Sequence, residues 1–314
     1  MATLSKIGSF IMAPLYWVIS LILVGVHSVF GMLFGPTSGV SWVLAIIGLT
    51  VVIRALLIPL FVKQIKASRN MALLQPKVKE LQKKYGHDRE RLAQETMKLY
   101  RDSKTNPLAS CMPILIQMPI FLALFRLLNH AANGVPKGVL TETDVEHLSN
   151  ATIFGAKIAD SFTRADTINV QILAGVLVVA MTATTFITQR QLMAKNMPAD
   201  AMTGPYAQQQ KMLLYVLPVV FAVSGIAFPI GLLIYWTTSN IWTMGQQFYV
   251  IRNNPAPGTP AFDAKRKRDL AKGKVTEDVP QADADEEQSE EKRPAQRQQP
   301  KKQSREQRKK SGGN

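Results

Sequence analysis

Apolar residues gather into long runs at roughly 41 to 62, 109 to 129, 168 to 190, 212 to 228 and 230 to 250. A helix needs about 20 mostly apolar residues to cross the hydrocarbon layer, so these runs predict five spanning helices. The fourth is short and turns at Phe228-Pro229 straight into the fifth. That predicts a tight helical hairpin whose turn lies near one membrane surface. The two-residue alternation of a membrane β-barrel is missing. The predicted fold is all-α: a polytopic membrane bundle of five core transmembrane helices. Residues 10 to 34 supply a possible sixth, preceded by Lys6 and interrupted by Pro14, His27 and several glycines. Ser20, His27 and Gly31 recur at seven and four, which puts them on one helical face. This segment spans, lies at the interface, or is a cleaved signal peptide, although no small-x-small site ends it.

Between the first and second runs the period changes. Met71, Leu74, Val78, Leu81 and Tyr85 repeat at three and four, and after Gly86 a second set follows at Ala93, Met97 and Tyr100. The spacing predicts a helical hairpin over residues 63 to 105, each arm with one apolar stripe and a basic opposite face. Lys63, Lys66, Arg69 and Lys77 are its leading cations. It packs on itself, or offers a surface to headgroups or another protein.

Charge sets the orientation. Residues 63 to 105 carry twelve Lys or Arg, whereas residues 131 to 167 carry three against five Asp or Glu. The positive-inside rule then makes the hairpin cytoplasmic, the Phe228-Pro229 turn external and the C-terminus cytoplasmic. The mean hydropathy of +0.04 and net charge of +15 average two unlike parts, because residues 252 to 314 hold 16 of the 37 Lys and Arg. Three segments follow: 1 to 35, an apolar helix; 36 to 252, the core; and 253 to 314, a basic tail. The tail has almost no large apolar residues and is expected to be disordered. Lys265-Arg266-Lys267-Arg268 is its candidate polyanion-binding cluster, for ribosomal RNA or anionic lipid.

Arg54 is the most informative residue. Eight residues separate it from Lys63, which at about 1.5 Å per residue puts it roughly 12 Å below the cytoplasmic interface. A guanidinium at that depth is costly unless water or a partner reaches it, and the five runs contain no Asp or Glu. The simplest reading is snorkelling toward the interface. Other polar residues fall at comparable depth: Thr50 one turn away; Gln117 in the second run; Thr182, Thr185 and Gln189 on one face of the third; and Trp236, Asn240, Thr243 and Gln247 on one face of the last, beside Thr237. Each alone fits a helix-helix hydrogen bond. Together they predict a one-sided hollow, wet toward the cytoplasm and closed outside. It would hydrate Arg54 and lower the cost of carrying a polar segment part-way into the bilayer.

Other function classes find less support. No carboxylate pair for ion coupling and no repeat of broken helices speaks for a small transporter, the principal alternative beside a passive assembly scaffold. The histidines at 27, 87, 130 and 147 are scattered, and no Gly-x-Ser-x-Gly or His-Glu-x-x-His occurs, so enzymatic chemistry is not expected. Cys111 is the only cysteine and has no ligand-like neighbours. No metal and no cofactor is expected.

With these residues in place, the chain resembles the YidC-type membrane protein insertases. The likeness rests on Thr50-Val-Val-Ile-Arg54 before Ile58-Pro59-Leu60, on Lys63-Gln64-Ile65-Lys66, on Asn106-Pro107 ahead of Pro113 to Pro119 around Gln117, and on Leu233-Ile234-Tyr235-Trp236 with Ser239-Asn240. It covers about residues 36 to 252. The resemblance implies a groove whose arginine corresponds to Arg54, with Thr50, Gln117, Tyr235 and Trp236 as groove or substrate contacts, and a mobile hairpin. It also implies nascent membrane proteins, the Sec translocon, the ribosome and membrane lipids as partners, in a bacterial cell membrane. The short N-terminus looks like versions from single-membrane or actinobacterial cells.

Overall fold

The computed structural model describes residues 2–106, 112–196 and 205–273. Pro107, Cys111 and the tail beyond Gly273 lie outside the described residues. The chain divides into two compact units at Lys267 and Arg268, and only residues 268–273 of the second are described.

The first unit is built on helices. Among the described residues four are long and apolar enough to cross a membrane: Met12–Phe34 within α1 (Ala2–Phe34), α2 (Gly39–Leu56), Leu115–Ala132 within α5 (Met112–Ala132), and Ile168–Lys195 within α7 (Ile168–Asn196). The hairpin of α8 (Pro205–Gly225) and α9 (Ile230–Asn253) occupies the last two predicted runs. Thr237, Ser239, Asn240, Gln246 and Gln247 dilute the apolarity of α9. The helices pack around Trp42, Leu49, Leu124, Leu127, Leu232 and Leu233, all fully buried.

The first predicted run ends early, at Leu56 instead of residue 62. Pro59 sits in the first turn of α3 (Ile58–Tyr85) and has no N–H to donate, so the helix breaks at Leu57. The arms of the expected hairpin are therefore α3 and α4 (Arg89–Asp102). Asp88 caps α4, accepting from the Arg91 N–H at 3.0 Å. Val78 is buried, whereas no residue of α4 is. Lys63 and Lys77 are exposed, and Lys66 and Arg69 lie along the same helix.

The helix α1 turns Ser20 and His27 inward, into the protein. His27 stacks on Trp42 with centroids 3.7 Å apart, and its Nε2 lies 3.0 Å from the Pro36 carbonyl. Val139 donates its N–H to Ser20 Oγ at 2.9 Å, so the chain leaving α5 reaches back onto α1. Packing against α2 and α5 thus brings hydrogen-bond partners to the polar atoms of this face.

Residues 133 to 167 form a cap. It contains α6 (Glu142–Asn150), opened by a Thr141/Asp144 capping box, and a small antiparallel hairpin of β1 (Thr152–Ile153) and β2 (Ala156–Lys157). The cap satisfies the start of α9: the Ile230 and Gly231 N–H groups donate to the Asp160 and Ile158 carbonyls, each at 2.8 Å. Burial pushes the Asp160 carboxyl above the ordinary aspartate value of 3.8, Asp166 adds to the rise and Lys157 opposes it. A raised folded-state pKa gives stability that is full below the unfolded value and is lost as pH rises through the folded one. Asp160→Asn should therefore raise the thermal unfolding midpoint at neutral pH and leave it unchanged well below pH 3.8; scans in both ranges check this.

One expectation for the tail is corrected. Residues 253 to 314 are not structureless throughout, because α10 spans Pro260–Ala271 and contains Lys265, Arg266, Lys267 and Arg268. Thr259 accepts from the Phe262 N–H at 3.3 Å, Pro260 opens the helix, Asp263 lies in its first turn and Arg268 in its last. Each suits the dipole or the free groups at its end. Thr259 and Ala261 are buried.

Candidate functional site

The kink at Leu57 leaves Arg54 in the last turn of α2, facing α9. It is 8% exposed. Its Nε donates to Ser239 Oγ at 3.1 Å, its Nη2 donates to the same oxygen, and its guanidinium carbon lies 5.6 Å from the centroid of Phe61. Ser239 is nine residues into α9, roughly 13 Å from its start. The charge therefore points back toward the middle of the bundle and does not snorkel to the α3 end. Among the described residues no carboxylate pairs with it.

The structure encloses Arg54 more closely than the expected open hollow. An arginine has five N–H donors, and a serine hydroxyl is a small neutral acceptor that α9 can place in a close-packed helix contact. Ser239 is the residue that periodicity missed. It lies one turn from Tyr235, on the strip of α9 beside the Trp236, Asn240 and Thr243 face.

The remaining polar residues do not converge on one cavity: Gln117 and Asn240 take part in separate inter-helix pairs along α9, whereas the buried Thr237 hydroxyl has no hydrogen-bond partner among the described residues. Gln117 on α5 donates to the Tyr235 hydroxyl. Asn240 donates to Thr185 Oγ1 at 2.9 Å and to the Met181 carbonyl at 3.3 Å, both on α7. Thr50 is buried and donates to the Ile46 carbonyl of its own helix at 2.7 Å. Thr182, Thr185 and Thr243 likewise bond one turn back. Trp236 does not join a polar face. Its ring packs edge-on against Phe221 at 4.5 Å and Phe121 at 4.9 Å, with Phe228 at 6.0 Å. This aromatic cluster fills the cap end of the α5, α8 and α9 contact, so the polar pairs lie on its α3 side.

One buried cation–hydroxyl pair and two part-buried amide–hydroxyl pairs on facing helices form a polar seam inside an apolar bundle. Among the described residues no group of three or more His, Cys, Asp or Glu could hold a metal.

The family model described as 60Kd inner membrane protein matches residues 33–257, the stretch holding every residue of this seam. The chain belongs to that family. It is 49% identical over 85% of its length to a membrane protein insertase YidC of Streptomyces avermitilis, and spans 64% of that relative. It is 39% identical to the insertase of Tropheryma whipplei, over 82% of this chain and 89% of that one. For the insertase of Bifidobacterium longum the values are 36%, 82% and 80%. A solved structure of an active YidC insertase with its first transmembrane domain resolved overlaps 72% of this chain and 46% of that one, at 22% identity and a TM-score of 0.45. Family membership, four apolar spans and a polar seam make this a membrane protein with an all-α bundle.

Proposed function

We propose that this family member is a membrane protein insertase that moves polar segments of nascent membrane proteins part-way across the bilayer and helps them fold. The observation that carries the reading is the guanidinium of Arg54, held inside an apolar bundle by a neutral serine. Ser239 engages two donors, and the other three suit a client carboxylate, which makes a stronger, charge-assisted bond than a hydroxyl does. A client segment exchanges with Ser239 and then with the Gln117–Tyr235 and Asn240–Thr185 pairs, while its apolar part leaves sideways into lipid. Thr50 and Trp236 act as walls of this path. No covalent bond is made or broken, so the protein acts as a chaperone and not an enzyme.

The test is crosslinking in the membrane from positions 50, 117 and 236 to stalled nascent chains. Crosslinks to membrane-protein clients are expected. Their absence at all three positions, with the protein folded, would defeat the insertion path.

Orientation and partners extend this reading. The basic α3/α4 hairpin and the C-terminal segment lie on the cytoplasmic side, in the bacterial cell membrane. There Lys63, Lys66, Arg69 and Lys77 meet headgroups or arriving chains, and the Sec translocon is a lateral partner. Cations of Lys265–Arg268 and beyond contact ribosomal RNA. Truncation after Gly273, which spares α10, should weaken ribosome co-sedimentation and flatten its salt dependence without moving the unfolding midpoint. Co-sedimentation of the truncated protein equal to that of the full chain at both low and high salt would remove the tail from ribosome contact.

A further inference from the structure

The tip of the small hairpin in the cap has a composition that neither folding nor insertion explains. Thr152 pairs with Lys157 and Ile153 with Ala156, which leaves Phe154 and Gly155 as a two-residue turn. Their φ values are 52° and 74°. A turn with both central residues left-handed suits Asn-Gly or Gly-Gly. Phenylalanine does not suit it, because its Cβ crowds the next carbonyl in that conformation. Packing offers no compensation: Phe154 is 82% exposed, while Ile153 and Ala156 beside it join the core.

The position of the tip supplies the reason. A Cβ on Gly39 would meet the Thr152 carbonyl oxygen at 1.9 Å, and one on Gly155 would meet Asn169 Nδ2 at 2.5 Å. The hairpin thus rests on the first turns of α2 and α7, two of the helices apolar enough to span. Their first turns mark where hydrocarbon gives way to headgroups. Next to Asn169 on α7, Ile168 and Ile172 are 65% and 59% exposed, so an apolar, outward-facing surface begins at the level of the tip. Lys157, at the base of the hairpin, is exposed.

We propose that the 152–157 hairpin is a lipid anchor: the Phe154 ring inserts at the headgroup–acyl boundary beside α2 and α7, with Lys157 at the depth of the lipid phosphates. An aromatic ring at that boundary is stabilised by partial burial, and a lysine by anionic headgroups. On the charge-based orientation this is the outer leaflet. The anchor ties the cap, and through it the start of α9, to the membrane surface. It goes beyond the insertion reading and does not depend on it.

The experiment uses the full chain in phosphatidylethanolamine/phosphatidylglycerol vesicles. Phe154→Trp adds one emitter to the four native tryptophans, and its contribution is the difference from the unsubstituted protein. Lipids brominated near the headgroup end of their acyl chains should quench that added emission at least about twofold more than aqueous iodide does. Quenching mainly by iodide would place the ring in water and overturn the proposal. Quenching by neither would place it against protein, such as a second copy, and would overturn it too. A second variant keeps the turn and removes the ring. Phe154→Asn creates the preferred Asn-Gly turn, yet in vesicles the amides of 152–157 should exchange about fivefold faster, because the lipid contact is gone. Unchanged or slower exchange would mean that only the turn mattered.

Discussion

Replacing Arg54 by alanine is expected to lower the insertion of a client with an acidic translocated segment by at least about tenfold, and to leave an uncharged client within about twofold. The asymmetry follows from the geometry. In the alanine variant Ser239 loses the donors that hold it, the polar seam keeps Gln117–Tyr235 and Asn240–Thr185, and only the attraction for a carboxylate disappears. Arg54→Lys should retain most insertion of the acidic client, since the charge survives without the planar fork that reaches Ser239 through Nε and Nη2. Protease protection of newly made clients in vesicles containing each variant reads both effects. Equal insertion of both clients by the alanine variant would take the arginine out of the mechanism.

Gly39→Ala is expected to destabilise the fold markedly. The added methyl would lie 1.9 Å from the Thr152 carbonyl oxygen and 2.5 Å from its carbonyl carbon. Both are backbone atoms, so no rotamer change relieves the clash, and the cap must lift from the start of α2. Overpacking of this kind costs about 1–3 kcal/mol, a fall of several degrees in the unfolding midpoint. Gly25→Ala is the matched control: its methyl meets nothing within 4 Å. It should stabilise α1 slightly, because alanine favours helix more than glycine does. Thermal unfolding of both variants in one detergent gives the comparison, and an unaffected Gly39→Ala protein would mean that the cap does not seat on α2.

Several features were legible because they depend on local sequence. The predicted runs find helices at 39–56, 112–132, 168–196, 205–225 and 230–253, since apolar length follows from the thickness of the bilayer. The turn at Phe228-Pro229 and the hairpin after Gly86 follow from backbone chemistry. The lack of Asp and Glu in the runs was also readable from the sequence. The break at Leu57 was in principle legible too, because Pro59 announces it; the continuous apolarity of the run concealed it.

Partnership was not legible. Helical period shows that Tyr235, Ser239 and Thr243 share a strip, but not which helix that strip meets. Packing turned Ser239 to α2, Tyr235 to α5 and Asn240 to α7, so neighbouring strips of α9 meet three different helices. It also sent Trp236 into an aromatic cluster and the Ser20–His27 face of α1 into the protein. By itself the sequence determined that this is a membrane-spanning helical protein with an arginine in an apolar run that holds no Asp or Glu, because hydrophobic length and charge are properties of single segments. Only the tertiary structure decided how that arginine is held, what caps the start of α9 and where Phe154 points, because each depends on contacts between residues far apart in the chain.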